Sequence, residues 1–416
     1  MRHWLDSTDF CYHRLMRILH LTPYYAPAYA FGGVVRSVEG MARALARRGH
    51  HVTVLTTDAL DQQSRYVGDL ETIQEGVQII RVPNLLPKIR GRYNLSTPNL
   101  MAKRAAELLP QMDVVHCHEF RTVENLLVTP IAAQLGKPLV LSPHGTLSQT
   151  TGRGGLKRLW DRTLSSAVAL RFSHVVALAQ PELMDVQALW PSFGRRRIPT
   201  EFSVIPNGVD PKDYANRSGR DAFRARYKLG DAPVCLFMGR LHPRKGIGLL
   251  VEAFKAAHMP DARLVIVGPD EGMLDTLKPL LDERIIVTGY LGGADRLAAF
   301  AAADLLALPA VGEGLPMVVL EAMAAGLPVI VSPGCNLPEV AQYGAGLEVE
   351  AAVEPLTIAL RTLLPDAARR SAMSQAARNL VNERFTWDSV AAQLETLYPK
   401  IGITDGKNPV PTKPSI

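Results

Sequence analysis

Short apolar runs alternate with amphipathic stretches along the first half of the chain. The run Arg17–Leu21 has the length and composition of a buried strand, and Val34–Arg48 has helical spacing that stops at Gly49. The pattern then repeats, with strands predicted at 51–56, 77–82, 113–116, 138–142, 174–177 and 202–205, and helices at 100–109, 125–135 and 156–170. Strands and helices that take turns in this way predict a buried parallel sheet.

A second alternation of the same kind opens at Val234. It predicts strands at 234–239, 263–267, 285–288, 305–308 and 328–331, and helices at 247–258, 273–281, 295–303 and 316–325. Alanine-rich helices follow over 354–383, and Trp387–Ile401 has the pattern of a last amphipathic helix. The turn-forming residues of Ile205–Pro211 separate the two series. The chain is therefore predicted to form two doubly wound sheets.

A length of 416 residues supports this division, because one hydrophobic core stops growing near about 250–300 residues. We predict a first Rossmann-like domain over 16–206, a linker over 207–232 and a second Rossmann-like domain over 233–385. The helix 386–400 is predicted to cross back to the first domain, and 401–416 to form a disordered, Pro- and Lys-rich tail.

The composition is that of a soluble globular protein, with 47% apolar and 21% charged residues. No segment approaches the roughly 18 apolar residues of a membrane span. The four cysteines lie far apart and form no CxxC pair, which argues against a disulfide framework or a cysteine zinc site. Residues 1–15 contain no apolar run, so they do not resemble a secretory signal and are interpreted as an extension. A cytoplasmic location is expected.

Positive charge is concentrated in the first half, where residues 1–200 hold 24 Lys and Arg against 15 Asp and Glu. This excess suggests contact with anionic lipid headgroups at the inner face of a membrane, or with a phosphorylated acceptor. Solvated helix faces are the alternative interpretation. Nucleic acid is not an expected partner, because no nucleic-acid-binding motif accompanies the charge. The basic clusters are Lys88-Arg90-Arg92, Arg153-Lys157-Arg158-Arg162 and Arg195-Arg196-Arg197.

The most specific motif begins at Glu313 and reads EGLPMVVLEAMAAGLPVI. It holds two glutamates eight positions apart, Glu313 on a loop and Glu321 within the helix that follows Pro316. The first amides of that helix, those of Met317 and Val318, are predicted to face a crevice where they can bind a diphosphate. Either glutamate alone could be an ordinary surface acid, but the whole string is unlike a chance pattern.

This string resembles the group 1 glycosyltransferases, family 4, whose members carry E-x7-E within EGxPxxxLEAMAxGxPVI. The resemblance extends from Arg17 to about Tyr398 and implies the GT-B fold, two Rossmann-like α/β domains facing across a cleft. It implies that Glu313 contacts hydroxyls of the transferred sugar and that Glu321 contacts the ribose of a nucleotide sugar. Carboxylates suit both tasks because they accept strong hydrogen bonds from hydroxyls. Leu315, in the same string, is also predicted to contact the donor.

Two further segments match donor-binding positions of the family. The segment MGRLHPRKG places Arg240 and Lys245 after a strand, where the resemblance implies contact with the donor diphosphate. Fixed cations there would stabilise the negative charge of the leaving group. The pair Gly32-Gly33 precedes a helix and implies close approach to the donor phosphate at Gly33 and to the acceptor at Gly32. Tyr290 follows a strand predicted to flank the nucleotide base.

Histidines end two successive strands of the first half. His144, in the string SPHGT, resembles the family histidine at the reaction centre, near the 6-hydroxyl of the sugar. His118, in HCHE, is an acceptor-side candidate, with a strand-end histidine satisfied by neighbouring groups as the alternative. His116, His118 and Glu119 do not make a complete ligand set, so we predict no metal.

The resemblance implies a retaining hexosyltransferase, and we predict that it is metal-independent and needs no cofactor. It would move a hexose-type sugar from a UDP- or GDP-linked donor to a glycan or polyprenyl-linked acceptor in polysaccharide or glycolipid synthesis. The chain has no DxD motif, which agrees with an absence of metal. Two alternatives stay open at this point: a nucleotide-sugar epimerase or phosphorylase on a similar scaffold, and a catalytically silent protein that binds sugar nucleotides.

Overall fold

The structure, a computed structural model, describes residues 15–87, 89–90, 95–147, 158–194 and 200–402. Within these ranges the chain forms two α/β domains, each built on its own sheet. The predicted tail and the extension 1–14 lie outside the described residues. No helix among the residues described has both the length and the apolar character needed to cross a bilayer.

The first sheet has eight strands in the order β3-β4-β2-β1-β5-β6-β7-β8. All neighbouring pairs are parallel except β3 with β4. The strands are β1 Arg17–Leu21, β2 His51–Thr57, β3 Glu71–Gln74, β4 Val77–Val82, β5 Val114–His118, β6 Leu139–Ser142, β7 His174–Ala177 and β8 Glu201–Val204. The strand order reverses between β1 and β5, and ligands of open α/β sheets bind beside such a reversal.

Helices cover both faces of this sheet, so that its central strands are buried on each side. The first-half helices are Gly33–Arg47, Met101–Leu108, Val123–Gln134, Ser166–Ala169 and Gln180–Leu189. The helix predicted over 156–170 is described from Arg158 onward and includes a π-helical turn, Asp161–Ser165. The edge strand β3 was not predicted, because it is short and three of its four residues are polar.

The second sheet has six parallel strands in the order β11-β10-β9-β12-β13-β14. They are β9 Val234–Met238, β10 Arg263–Val267, β11 Ile285–Gly289, β12 Leu305–Leu308, β13 Val329–Val331 and β14 Gly346–Glu348. The accompanying helices are Ile247–Ala256, Leu274–Leu277, Gly293–Ala302, Met317–Ala324, Glu339–Gln342, Val353–Leu363 and Ala367–Arg384. Its order reverses between β9 and β12, which places a second ligand-binding edge opposite the first.

Two connections join the two domains. The segment predicted as a linker contains the helices Pro211–Ala215 and Arg220–Arg226, and Phe223 of the second helix lies in the second-domain core. The last helix, Trp387–Gly402, packs on the first domain, with Leu394 in a cluster that also holds residues of the helix Gly33–Arg47. The chain therefore crosses between its two halves twice.

Candidate active site

A cleft of about 430 Å³ lies between the carboxyl ends of the strands of the two sheets. Loops that follow β5, β6 and β7 line it from one side, and loops that follow β9 to β12 line it from the other. The cleft brings together residues that are far apart in sequence. The predicted site residues that line it are Gly32, Gly33, His144, Arg240, Lys245, Tyr290, Glu313, Leu315, Met317, Val318 and Glu321.

Two helix N-termini meet at this cleft, one from each domain. The first-domain helix begins at Gly33 after a left-handed Gly32, and the second-domain helix begins at Met317 after Pro316. A Cβ atom on Gly33 would lie 3.5 Å from Cγ of Met317, which shows how closely the two helix starts approach. The first amides of a helix have no partners within it and carry partial positive charge. The paired N-termini therefore form a region suited to an anion.

Lys245 and Glu313 form an ion pair at the edge of this region. Lys245 Nζ lies 2.8 Å from Glu313 Oε2, and both side chains are largely buried, with exposed fractions of 15% and 18%. The pair joins the loop after β9 to the loop after β12. A cation and an acid in contact can act on opposite charges, with the lysine facing a leaving phosphate and the carboxylate facing a positively charged sugar.

A second cation of the cleft, Arg240, is also paired with an acid. Its guanidinium lies 3.0 Å from a carboxylate oxygen of Glu271, and 45% of its side chain is exposed. The neighbouring Arg244 lines the cleft too, but it donates a hydrogen bond to the Gly312 carbonyl and holds the loop that leads to Glu313. Arg244 therefore positions this loop, while Arg240 and Lys245 face the cleft.

Glu321 is buried at the base of the cleft, where it has two protein partners. One oxygen accepts a hydrogen bond from the Tyr214 hydroxyl at 3.0 Å, and the other accepts one from the Arg296 guanidinium. Its residue exposure is only 1%. A carboxylate has about four acceptor positions, so these contacts leave room for ribose hydroxyls. Sequence reasoning missed Arg296, because it lies on a helix with no recognisable motif.

His144 and Gly145 touch the second domain directly. Both residues have left-handed backbone conformations, with φ of 53° and 73°. A Cβ atom added to Gly145 would lie 2.9 Å from the Gly314 nitrogen, so the two loops can approach only because both positions are glycine. Buried Glu182 accepts hydrogen bonds from the amides of Gly145 and Leu178, which fixes the loop. This contact places His144 beside the loop that carries Glu313.

The structure differs from the prediction at His118. This residue is fully buried at the end of β5 and is not among the residues that line the cleft. Its Nδ1 lies 2.9 Å from Nε2 of His144, and its Nε2 lies 2.8 Å from Nδ1 of His20. Its partners are thus other histidines, because β1, β5 and β6 are adjacent parallel strands whose ends meet at one edge.

His20, His116 and His118 form a buried group whose ligand atoms lie within 4.8 Å of one another. His116 is held by hydrogen bonds of 2.8 Å with Tyr398 on the last helix and with Ser142. Burial lowers the pKa of His20 to about 3 and that of His144 to about 4, and it holds that of His118 well below its usual range. These rings are therefore neutral at pH 7.

Two polar residues that line the cleft, Glu119 and Asn207, were not predicted as site residues. Glu119 is half-buried and left-handed, and burial, with a smaller effect of Glu124, raises its pKa to about 7. Asn207 donates a hydrogen bond to the Leu315 carbonyl and accepts one from the Ser37 hydroxyl at 2.5 Å. Asn207 thus links the two domains, although its sequence context indicates only a turn.

Comparison with known proteins agrees with this geometry. The family model described as "Glycosyltransferase Family 4" matches residues 31–213 of this chain. The family model described as "Glycosyl transferases group 1" matches residues 232–366. A GDP-mannose-dependent alpha-(1-6)-phosphatidylinositol monomannoside mannosyltransferase of Mycobacterium tuberculosis is 34% identical over 420 residues, which cover 91% of this chain and 97% of that protein. The chain belongs to glycosyltransferase family 4.

Other similar proteins support the fold of this glycosyltransferase. The structure of Anabaena Alr3699/HepE in complex with UDP and glucose has a TM-score of 0.70 at 22% identity, covering 92% of this chain and 99% of that one. Sucrose-phosphate synthase from Thermosynechococcus elongatus has a TM-score of 0.71 at 20% identity, with the same coverages. The predicted GT-B fold of two facing α/β domains is confirmed.

Proposed function

We propose that this glycosyltransferase moves a hexose-type sugar from a UDP- or GDP-linked donor to a glycan or lipid-linked acceptor, with retention of anomeric configuration. The observation that carries the proposal is the placement of the Lys245–Glu313 pair next to His144, where the loops at Gly145 and Gly314 touch. The donor occupies the second-domain side of the cleft, and the acceptor occupies the first-domain side.

The reaction breaks the bond between the anomeric carbon and the diphosphate oxygen, and the electron pair stays with the diphosphate. Arg240, Lys245 and the helix start at Met317 stabilise the negative charge that develops there. Glu313 faces the sugar, which becomes positively charged. The acceptor hydroxyl attacks from the same face and passes its proton to the departing phosphate.

His144 suits a binding role in this reaction better than a basic one. Burial lowers its pKa to about 4, so that at pH 7 its ring is neutral and a weak base. A weak base supports a route in which the leaving phosphate accepts the proton. The same cations and helix start supply the positive charge that a divalent metal would otherwise bring, so the proposed reaction needs no metal or other cofactor.

Named relatives guide the choice of acceptor. One relative is named for transfer from GDP-mannose to a phosphatidylinositol monomannoside, and another, from Xylanimonas cellulosilytica at 27% identity, is named a D-inositol 3-phosphate glycosyltransferase. An acceptor that carries a polar phosphorylated headgroup agrees with the basic first half of the chain. A role in cell-surface polysaccharide or glycolipid synthesis, at the inner face of a membrane, follows from this choice.

A panel of UDP-, GDP- and ADP-sugars in a thermal-shift assay tests the donor assignment. A donor at a hundredfold its Kd should add about 2.7 kcal/mol to the free energy of unfolding. Transfer with the selected α-linked donor, followed by NMR of the product, should give an α-linkage. A β-linked product would contradict retention, and formation of an epimer or a sugar phosphate without acceptor would favour an epimerase or phosphorylase. Binding without any turnover would favour a silent sensor.

The two cations of the cleft should contribute to diphosphate binding rather than to binding of the nucleoside. We expect Arg240→Ala and Lys245→Ala each to weaken the binding of a nucleoside diphosphate by about 1.5 kcal/mol, a roughly tenfold rise in Kd, because a charge-assisted contact is lost. Affinity for the free nucleoside should stay unchanged in isothermal titration calorimetry. Glu271→Gln, which releases Arg240 from its ion pair, is the matched variant and should bind the diphosphate more tightly. Equal losses for nucleoside and diphosphate would contradict the assignment.

The contact at Gly145 should be required for activity. We expect Gly145→Ala to lower kcat/KM roughly tenfold, because the new methyl group meets the backbone of Gly314 and separates the two loops. Gly136→Ala is the control, since Gly136 is also left-handed but its Cβ would meet no atom within 4 Å. Both changes strain the backbone, and only one affects the cleft. Similar activities for the two variants would show that the close approach of Gly145 to Gly314 does not affect kcat/KM.

Membrane attachment through the first half of the chain stays a proposal. Of the residues in the three basic clusters, the structure describes Arg90, Arg158 and Arg162. Arg158 and Arg162 are exposed, Arg90 is fully buried, and the other members of the basic clusters lie outside the described residues. We expect sedimentation with anionic liposomes at low salt, and a severalfold loss of binding in Arg158→Glu/Arg162→Glu. Arg369→Glu, on an exposed position of the second half, should bind normally. Failure of the wild type to sediment would refute the proposal.

A further inference from the structure

A row of three hydrogen-bonded histidines leads from the interior of the first domain to the cleft. His20 ends the row inside the protein, His118 lies in the middle, and His144 lines the cleft. The links join Nδ1 of His20 to Nε2 of His118 at 2.8 Å, and Nδ1 of His118 to Nε2 of His144 at 2.9 Å. Each link therefore uses the same pair of ring atoms in the same order.

Neutral rings restrict how protons can be arranged along this row. The lowered pKa values described above leave one N–H and one lone pair on each ring at pH 7. His118 can then donate at only one of its two nitrogens and must accept at the other. All three rings must therefore point the same way, either with every proton on Nδ1 or with every proton on Nε2.

The inner end of the row selects between these arrangements. Nε2 of His20 is buried and has no hydrogen-bond partner among the described residues. With every proton on Nε2, this atom would be a buried N–H without an acceptor. With every proton on Nδ1, it is only an unused lone pair. Buried N–H groups without partners are the rarer defect in proteins, so the second arrangement is favoured.

A metal ion is a less suitable occupant of this region. His20, His116 and His118 could supply ligand nitrogens, but both nitrogens of His116 and both of His118 already have hydrogen-bond partners. A metal would have to break contacts to Tyr398, Ser142 or His144 before it could bind. The observed distances fit a hydrogen-bonded row without such rearrangement.

We propose that His20 and His118 are positioning residues that hold His144 as its Nδ1–H tautomer, so that His144 donates a hydrogen bond into the cleft. Within the proposed function, on which this last step rests, the acceptor of that bond is an oxygen of the transferred sugar. The Nδ1 atom of His144 has no partner among the described residues and lies on a residue that lines the cleft. Nε2 is directed to His118, which leaves Nδ1 for the ligand.

NMR of the full-length protein with 15N-labelled histidine tests the tautomers without any substrate. Long-range 1H–15N spectra at pH 7 should show protonated Nδ1 for His144, His118 and His20, with His144→Gln used to assign the outer ring. Protonated Nε2 on His144 would overturn the proposal. Stoichiometric zinc in the purified protein, with histidine signals that shift when EDTA is added, would also overturn it in favour of a metal site.

Removal of the inner ring tests whether the row sets the tautomer. In His20→Met the thioether can accept but cannot donate, so His118 gains an acceptor for Nε2–H, and we expect His144 to populate its Nε2–H tautomer. In His20→Gln the side-chain amide can donate in place of the ring, so the Nδ1–H form should be retained. His174→Leu removes another buried histidine, bonded to Ser203 outside the row, and should leave His144 unchanged. An unaltered His144 signal in a folded His20→Met would contradict the coupling.

A binding measurement separates this inference from the proposed function. We expect His20→Met to weaken binding of the sugar nucleotide about threefold to tenfold, the range for one neutral hydrogen bond, and to leave binding of the nucleoside diphosphate unaffected. Nδ1–H tautomers without this loss would mean that the row exists but that His144 does not contact the sugar. Nε2–H tautomers in an active enzyme would refute the proposed proton arrangement and leave sugar transfer standing.

Discussion

Glu313→Gln is expected to lower kcat by about a hundredfold or more, equivalent to about 2.7 kcal/mol of transition-state stabilisation. The amide keeps the shape of the side chain but loses the negative charge that, in the proposed function, faces the sugar as it becomes positive. Contacts that strengthen only in the transition state affect kcat, so the KM for the donor should change little. Steady-state kinetics with varied donor at saturating acceptor would give both constants.

The ion pair with Lys245 adds a second expectation for the same variant. Loss of the carboxylate releases Lys245 Nζ, which lies 2.8 Å away, and removes a negative charge next to the proposed diphosphate site. Glu313→Gln should therefore bind the free nucleoside diphosphate as tightly as the wild type or more tightly, which also shows that the cleft is intact. A kcat equal to that of the wild type would refute the assignment of Glu313 to the sugar site. Weaker diphosphate binding would indicate that the substitution disturbs the loop.

Glu321→Gln is expected to reduce stability as well as donor affinity. Its carboxylate is buried against Arg296, and removal of one partner of a buried ion pair costs roughly 3–5 kcal/mol because the other charge is left uncompensated. The amide retains some hydrogen bonding, so about 3 kcal/mol is expected, or a fall in Tm of about 6–12 °C for a domain of this size. Thermal melting with and without donor would measure it.

The double variant Glu321→Gln/Arg296→Gln separates the two roles of Glu321. Replacement of both charges removes the uncompensated guanidinium, so much of the lost stability should return. The proposed ribose contact stays absent, and the KM for the donor should stay raised. A double variant as unstable as Glu321→Gln would show that the ion pair is not the cause. Recovery of a wild-type donor KM would exclude the ribose contact.

The order of strands and helices was accessible from the sequence because most elements have a strong period. The strand β1 and the helix that begins at Gly33 were predicted to within a residue. The strand was recognisable because buried parallel strands are mostly apolar runs, and the helix because its apolar positions recur at helical spacing. Some elements were missed. The helix Arg220–Arg226 lies in a polar stretch, and it packs against the helix Gly293–Ala302. Such elements depend on tertiary contacts that no local pattern records.

The candidate site divides in the same way. Glu313, Arg240 and Lys245 belong to motifs, and the structure brings them to one cleft. Arg296 was not accessible from the sequence, because a lone arginine on a helix is usually a surface residue. His118 was assigned to the cleft on the strength of its strand end, but it lies beneath His144 and is fully buried. The depth of a strand end below the cleft is a property of the packed sheet.

The sequence by itself determined the family, the two alternating α/β series and the loops that carry the chemistry, since periodicity and motif spacing are local properties of a chain. Only the tertiary structure decided which charges are paired. The partners of Lys245 and Glu321 come from other segments, and the row from His20 to His144 crosses three strands. Burial and hydrogen-bond partners arise when distant segments pack together, and these determine the charge and the proton position of each group.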